Sequence, residues 1–203
     1  MLPSRVPASR NRASAALIRA RVSVPAPALD LADLERGQHL AVTGGAGLLA
    51  YYAIAEAKRR GVRIVADARH ADIERVRQHG ADLVVHRGPA FADEVRRALP
   101  DGVDALLDTA VLGGTSFGAI RDGGVYIPVR GWADKTPEPR ITIKPAFVYD
   151  VLERTDWLES LRERVVGGTL TLRVAGEYAP EQAADAQRAL AAGGLRGRPV
   201  IVF

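Results

Sequence analysis

His39-Leu-Ala-Val-Thr-Gly-Gly-Ala-Gly-Leu-Leu-Ala50 is the run whose reading decides the fold. A short apolar stretch, Leu40–Val42, stops at glycines, and an apolar helical pattern takes over: Leu48, Tyr51, Tyr52 and Ala55 recur at the spacing of one helix face. Inside the run, Gly45-Ala46-Gly47-Leu48-Leu49-Ala50 spells G-x-G-x-x-A, the fingerprint of a strand–turn–helix that binds a dinucleotide. On this reading Gly45 makes the tight turn, and Gly47 has no Cβ to block a pyrophosphate. Ala50 is small enough for the helix to pack closely on the sheet. The N–H groups that open the helix, at the positive end of its dipole, then face the phosphates. Asp67 stands 22 positions beyond Gly45, after a second strand pattern at Arg63–Ala66, where the fingerprint wants an acid for the adenosine ribose.

Outward from this stretch, strand and helix alternate. Lys58-Arg-Arg60 and Gly61 close the first helix. A polar helix follows Asp67, with Ile73 and Val76 towards the core and Gly80 at its end. Leu83–Val85 reads as a third strand, and Phe91, Val95 and Leu99 mark a third helix. Val103–Leu107 reads as a fourth strand, Gly124–Val129 as a fifth and Ile141–Ile143 as a sixth. Upstream, Ala28–Leu34 is a short helical pattern stopped by Gly37. Downstream lie a long helix from about residue 149 to 166, an extended Thr169–Val174, a helix over Pro180–Ala191 and a terminal strand Pro199–Phe203. Strands apolar on both faces and separated by single helices predict βαβ units. The expected fold is therefore α/β, a doubly wound parallel Rossmann sheet with a C-terminal strand–helix–strand arm. Its ligands belong at the carboxyl ends of the strands. The expected boundaries are a basic tail at 1–25, a dinucleotide-binding domain at 26–168 and the arm at 169–203.

Composition sets the outer bounds. Of 203 residues, 47% are hydrophobic and 26% charged, as in a globular protein. The absence of cysteine excludes disulfides, thiolate zinc sites and a Cys nucleophile, and fits a cytoplasmic setting. No uncharged apolar run approaches the roughly 18 residues of a membrane span. The net charge of +4 comes from a tail containing Arg5, Arg10, Arg12, Arg19 and Arg21 and no acid. The rest of the chain is close to neutral and carries no basic stripe with interleaved aromatics, so nucleic acid is not an expected partner. Pro3, Pro7, Pro25 and Pro27 leave the tail little room for the amphipathic helix of a transit peptide, and it reads as disordered.

Leu40-Ala-Val-Thr-Gly-Gly-Ala-Gly47, Ala57-Lys-Arg-Arg-Gly61 and Gly80-Ala-Asp-Leu-Val-Val85 together resemble the medium-chain dehydrogenase/reductase superfamily. The specific likeness is to its zinc-free, quinone-oxidoreductase-like branch. Val103-Asp-Ala-Leu-Leu-Asp108, Arg121-Asp-Gly-Gly-Val125, Leu170-Thr-Leu-Arg-Val174 and residues 183–197 continue the likeness in order, over residues 28–203. The resemblance implies an NAD(P)H-dependent oxidoreductase that passes a hydride to a small quinone or enone. The alternative is a catalytically silent NAD(P)-binding module. It also implies that the N-terminal GroES-like catalytic domain of the family is missing, so that the arm returns to nothing. On that ground the apolar side of the arm (Ala183, Ala186 and Leu190, with strand Val200–Phe203) is expected to be uncovered, and the chain to form a homo-oligomer.

The candidate cofactor residues are Gly45, Ala46, Gly47, Leu48, Leu49, Asp67, Arg69, Thr109, Ala110, Val129 and Arg130. Thr109-Ala110 and Val129-Arg130 end the fourth and fifth strands, where the resemblance implies contact with nicotinamide. Asp67 suits the free ribose hydroxyls of NADH, whereas Arg69 suits the 2′-phosphate of NADPH, and the sequence leaves that choice open. No catalytic acid or base is identifiable. Gly114-Thr-Ser116-Phe-Gly118 matches a hydrolase elbow, but Asp122-Gly-Gly124 interrupts the helix it needs and no histidine follows Ser116. His39, His70, His79 and His86 lack ligand spacing, so no metal is expected, and they read as surface or half-buried groups. Trp132 and Trp157 read as packing residues.

Overall fold

The computed structural model describes residues 25–129, 138–146 and 155–203. The chain divides into two compact units, Val24–Val151 and a second containing Leu152–Phe203. The division falls before the helix at Thr155–Val166.

The first unit carries a six-stranded, all-parallel sheet: β1 (His39–Val42), β2 (Arg63–Ala68), β3 (Leu83–His86), β4 (Val103–Asp108), β5 (Ile120–Pro128) and β6 (Thr142–Ile143). Their spatial order is β3-β2-β1-β4-β5-β6, with Leu40 of β1 beside Ile64 of β2 on one side and Ala105 of β4 on the other. This is the doubly wound order, and the chain reverses direction across the sheet between β1 and β4. Alternation along the strands builds two cores. Leu40, Val42, Ile64, Leu107 and Ile127 pack under helices α1 (Pro25–Ala32), α2 (Leu48–Arg59) and α3 (Ile73–Gln78). Ala41, Val65, Leu106 and Tyr126 pack on the opposite face, against α4 (Phe91–Ala98) and a 3-10 turn at Gly113–Ala119. Both faces of the sheet are covered, and this is why its strands read as continuous apolar runs.

β5 begins four residues before the expected start. Asp122-Gly-Gly124, read from the sequence as a break ahead of the strand, is an irregularity inside it, with Gly123 at φ +73° and a register shift opposite Val103 and Ala105.

The second unit holds α5 (Thr155–Val166), β7 (Val174–Tyr178), α6 (Ala183–Ala192) and β8 (Arg198–Ile201), with β7 and β8 paired in parallel. Thr169 and Leu170 are not extended as expected. Their N–H groups both bond to Arg164 O, at 2.9 and 3.1 Å, and close α5 behind Gly168 at φ +72°. Ala186 and Val200 are buried, contrary to the expectation that both lie uncovered, while Ala183, Leu190 and Phe203 are exposed. No helix among the described residues is long and apolar enough to cross a membrane.

Candidate functional site

The parallel sheet brings the ends of β1, β2, β3, β4 and β5 to one edge. The turn after β1 is built by three glycines with separate duties. Gly44, at φ +68°, turns the chain, and its carbonyl accepts from the Gly47 N–H at 2.7 Å. The turning residue is therefore Gly44, not Gly45, because a Cβ here would both strain the backbone and meet Thr109 Oγ1 at 3.1 Å. Gly45 is needed for close approach: a Cβ would lie 2.7 Å from the Asp67 carbonyl oxygen. Gly47 precedes α2, has an ordinary φ of −73° and carries no capping side chain. A Cβ on Gly47 would meet only Gly44 O within 4 Å, outside the backbone of its own helix. Ala46, Leu48 and Leu49 are half-exposed around this opening, and Ala50 is buried against the sheet.

Asp67 lies beneath the turn, 1% exposed. Its Oδ1 accepts from the Gly45 N–H at 3.1 Å, whereas Oδ2 has no hydrogen-bond partner. Arg87 Nε stands 3.9 Å from Oδ2, beyond hydrogen-bond length. Burial pushes the Asp67 carboxyl above its ordinary value, outweighing the Gly45 N–H and the Arg87 charge. His79 is buried, neither at the surface nor half-buried as expected, and its Nδ1 is 3.1 Å from Gly45 O. A carbonyl can only accept, so Nδ1 carries the proton, and Gly45 is held at both its N–H and its carbonyl. Tyr51 meets the His79 ring edge-on at 5.0 Å.

Arg69 is exposed at the residue after β2. Sequence reasoning missed its neighbour. Ala68 pairs with His86, and the Arg87 N–H bonds to Ala68 O at 2.9 Å, so Arg69 and Arg87 leave adjacent strands side by side. The signal available was a second arginine directly after the third strand.

Beyond β1, the end of β4 carries Asp108, 2% exposed. Its Oδ1 accepts from Thr43 Oγ1 at 2.6 Å and the Ala110 N–H at 3.1 Å. Its Oδ2 accepts from Tyr126 OH at 2.6 Å and the Gly113 N–H at 2.9 Å. Thr109 Oγ1 donates to Thr43 O at 2.5 Å, and the Ala110 N–H also reaches Thr43 Oγ1 at 3.0 Å. Thr109 and Ala110 are thus fastened to the residue before the glycine turn. Val129, half-exposed, adjoins the end of β4 through its N–H to Asp108 O at 3.5 Å. Arg130, Trp132 and the side chain of Trp157 lie outside the described residues. Ser116 is buried and donates to Gly113 O at 2.8 Å, with its loop wound into a 3-10 turn, so the elbow motif builds no exposed nucleophile. Among the described residues no group of three or more His, Cys, Asp or Glu side chains is placed to hold a metal.

A family profile described as zinc-binding dehydrogenase matches residues 61–201. The chain belongs to that family, within the medium-chain dehydrogenase/reductase superfamily. Among curated relatives of this dehydrogenase-family chain is the trans-enoyl reductase himH of Aspergillus japonicus, 31% identical over 147 residues, 65% of this chain and 42% of that protein. An alcohol dehydrogenase superfamily protein from Novosphingobium aromaticivorans aligns at 27% identity and TM-score 0.74, covering 90% of this chain and 62% of the other. A mycobacterial structure complexed with NADPH shares the fold at TM-score 0.77 and 20% identity, covering all of this chain and 66% of the other. The chain thus spans about two fifths of the curated relative and somewhat under two thirds of these solved structures.

Proposed function

We propose that this chain binds a nicotinamide dinucleotide, NADPH in preference to NADH, and serves hydride transfer to a small enone, enal or quinone. The observation that carries the reading is the buried Oδ2 of Asp67, which accepts no hydrogen bond and has the Arg87 guanidinium only at 3.9 Å, beside a glycine turn that is open at Gly47. A buried carboxylate oxygen without a donor is costly, and a ribose hydroxyl is a donor of the right size. The residues present fit the dinucleotide: the α2 N-terminus with Gly44–Leu49 for pyrophosphate, Asp67 for ribose, and Thr109, Ala110 and Val129 towards nicotinamide. When bound, nicotinamide supplies the hydride, and the protein supplies orientation and an electrostatic setting.

NADPH is favoured because two exposed arginines, Arg69 and Arg87, flank the ribose position. Asp67 Oδ1 is engaged by the Gly45 N–H, which leaves Oδ2 for the 3′-hydroxyl that NADPH keeps free, while the arginines take the 2′-phosphate. The enone class is supported by the kinship with a trans-enoyl reductase, and the quinone class by the likeness read from the sequence. Fluorescence titration of NADPH and NADH tests the cofactor assignment. Arg69→Ala and Arg87→Ala should each weaken NADPH by about 1.5–3 kcal/mol, the worth of a charged hydrogen bond, and spare NADH. Equal loss for both cofactors would remove the arginines from this role. Oxidation of NADPH in the presence of an enone or a quinone tests the reaction, and binding without turnover would leave a silent dinucleotide-binding module.

A further inference from the structure

We propose that Asp108 is a positioning residue for the nicotinamide half of the dinucleotide, acting by holding Val111 in a left-handed backbone conformation at the ligand edge. The inference rests on the dinucleotide reading above and concerns a residue that reading does not use.

Val111 has φ +61°, a region that β-branched residues rarely enter, and its side chain is 61% exposed just beyond the end of β4. Nothing intrinsic to valine keeps it there. What does so is the pair of backbone anchors on either side, the Ala110 and Gly113 N–H groups, both donating to the one Asp108 carboxylate. The other two donors, Thr43 OH and Tyr126 OH, fasten that carboxylate to β1 and β5. Four donors fill both carboxylate oxygens, so Asp108 has no capacity left for a ligand. Its effect on a ligand must pass through the loop it holds. That loop adjoins the glycine turn, because Thr43 directly precedes Gly44 and its carbonyl accepts from Thr109. In a doubly wound sheet the adenosine half lies on the β2 side of this turn and the other half on the β4 side. A change at Asp108 is therefore felt by one half of the ligand alone.

Asp108→Asn is the discriminating variant. Asparagine keeps one acceptor oxygen and presents an NH2 in place of the other. The Tyr126 hydroxyl can rotate to accept from that NH2, but the Gly113 N–H cannot, so Gly113 loses its acceptor and Val111 relaxes. Calorimetry with two probes reads the outcome: NADPH, which spans both halves, and adenosine 2′,5′-bisphosphate, which spans only one. Asp108→Asn should weaken NADPH about tenfold, the consequence of one stranded N–H, and leave the bisphosphate unchanged within about twofold. Adding Val111→Gly should restore most of the NADPH affinity, because glycine enters a positive φ without the strain that the clamp must oppose in valine. Parallel weakening of both probes, unchanged NADPH affinity, or no rescue by Val111→Gly would overturn the proposal. A wild-type chain that binds neither probe would overturn the dinucleotide reading itself. If Asp108→Asn does not fold, amide exchange in the wild-type chain decides. The Ala110 and Gly113 N–H groups should exchange as slowly as those of β4, and fast exchange would overturn the clamp.

Discussion

Replacing two glycines of one turn by alanine separates a structural duty from a binding one. At Gly45 the added Cβ would stand 2.7 Å from the Asp67 carbonyl oxygen, 3.0 Å from Ala66 Cβ and 3.1 Å from Val76 Cγ1. The first of these is backbone of β2, which is held between β1 and β3, and cannot rotate away. The loop must lift instead, loosening the Gly45 N–H bonds to Asp67 O and Oδ1, at 3.2 and 3.1 Å. Overpacking of this kind costs 1–3 kcal/mol, and a backbone obstacle puts Gly45→Ala near about 3 kcal/mol. At Gly47 the Cβ meets a single atom, Gly44 O at 3.0 Å, and φ is already ordinary. Gly47→Ala should cost about 1 kcal/mol, as for loss of a favourable residue before a helix. In a chain of this size each kcal/mol is worth about 2–4 °C in Tm. Thermal melts should therefore place Gly45→Ala roughly 6–12 °C below the parent and Gly47→Ala only about 2–4 °C below. Binding should separate them the other way. Gly47→Val fills the opening with a branched side chain and should abolish NADPH binding while the protein stays folded. A Gly45→Ala protein as stable as the parent would refute the close-approach argument. Undiminished NADPH affinity in Gly47→Val would refute the pyrophosphate assignment.

The remaining expectations are briefer. Burial raises the folded-state pKa of Asp67, so its favourable contribution exists only at low pH and is lost as pH rises through the folded value. Asp67→Asn should accordingly leave Tm at pH 7 equal or higher while weakening dinucleotide binding, and a large drop in Tm at pH 7 would contradict the starved-carboxylate reading. Asp104 is the opposite case. Burial alone would raise its carboxyl, but the His39 N–H and the Arg121 guanidinium outweigh that and hold it below its ordinary value. Its contribution is present above the unfolded pKa and lost as pH falls through the folded one, so Asp104→Asn should flatten the acid limb of a stability–pH curve below about pH 4. An acid limb as steep as the parent's would show that Asp104 is not its source. The exposed Val174, Val202 and Phe203 predict self-association, read by sedimentation across a concentration series; a monomer at all concentrations would oppose it.

The sheet was legible because periodicity survives without tertiary information: β1, β2, β3 and β4 fall within one or two residues of their apolar runs. Where side chains stop reporting on the backbone, the reading failed. Asp122-Gly-Gly124 carries turn chemistry, yet it is a bulge inside β5, because what fixes a bulge is the partner strand. Thr169 and Leu170 look like a strand by composition, but their N–H groups are both spent on the Arg164 carbonyl in the last turn of α5. In the glycine turn the motif was visible while the division of labour was not, since Gly44, Gly45 and Gly47 differ only in what surrounds them. Arg87 and Asp108 were missed for one reason. Each gains its meaning from a neighbour in the sheet (Ala68 for Arg87, Thr43 and Tyr126 for Asp108), and sheet order is not written locally.

The two carboxylates near the ligand edge show how one residue type takes two roles by hydrogen-bond supply alone. Both sit at or one residue short of a strand end, and both are at most 2% exposed. Asp108 receives four donors, two from backbone and two from hydroxyls, and every lone-pair position is used. Asp67 receives the Gly45 N–H on one oxygen and no hydrogen bond on the other. A saturated buried carboxylate can only be a strut, because a further donor would have to displace one already there. A starved one carries an unmet desolvation cost, and a ligand that brings a hydroxyl relieves it at the moment of binding. Exchanging the environments would exchange the roles. On the dinucleotide reading we propose, ligand affinity would draw on the unmet desolvation cost at Asp67. Asp67→Asn should therefore cost binding and not folding, whereas Asp108→Asn should strand a donor that no ligand can satisfy.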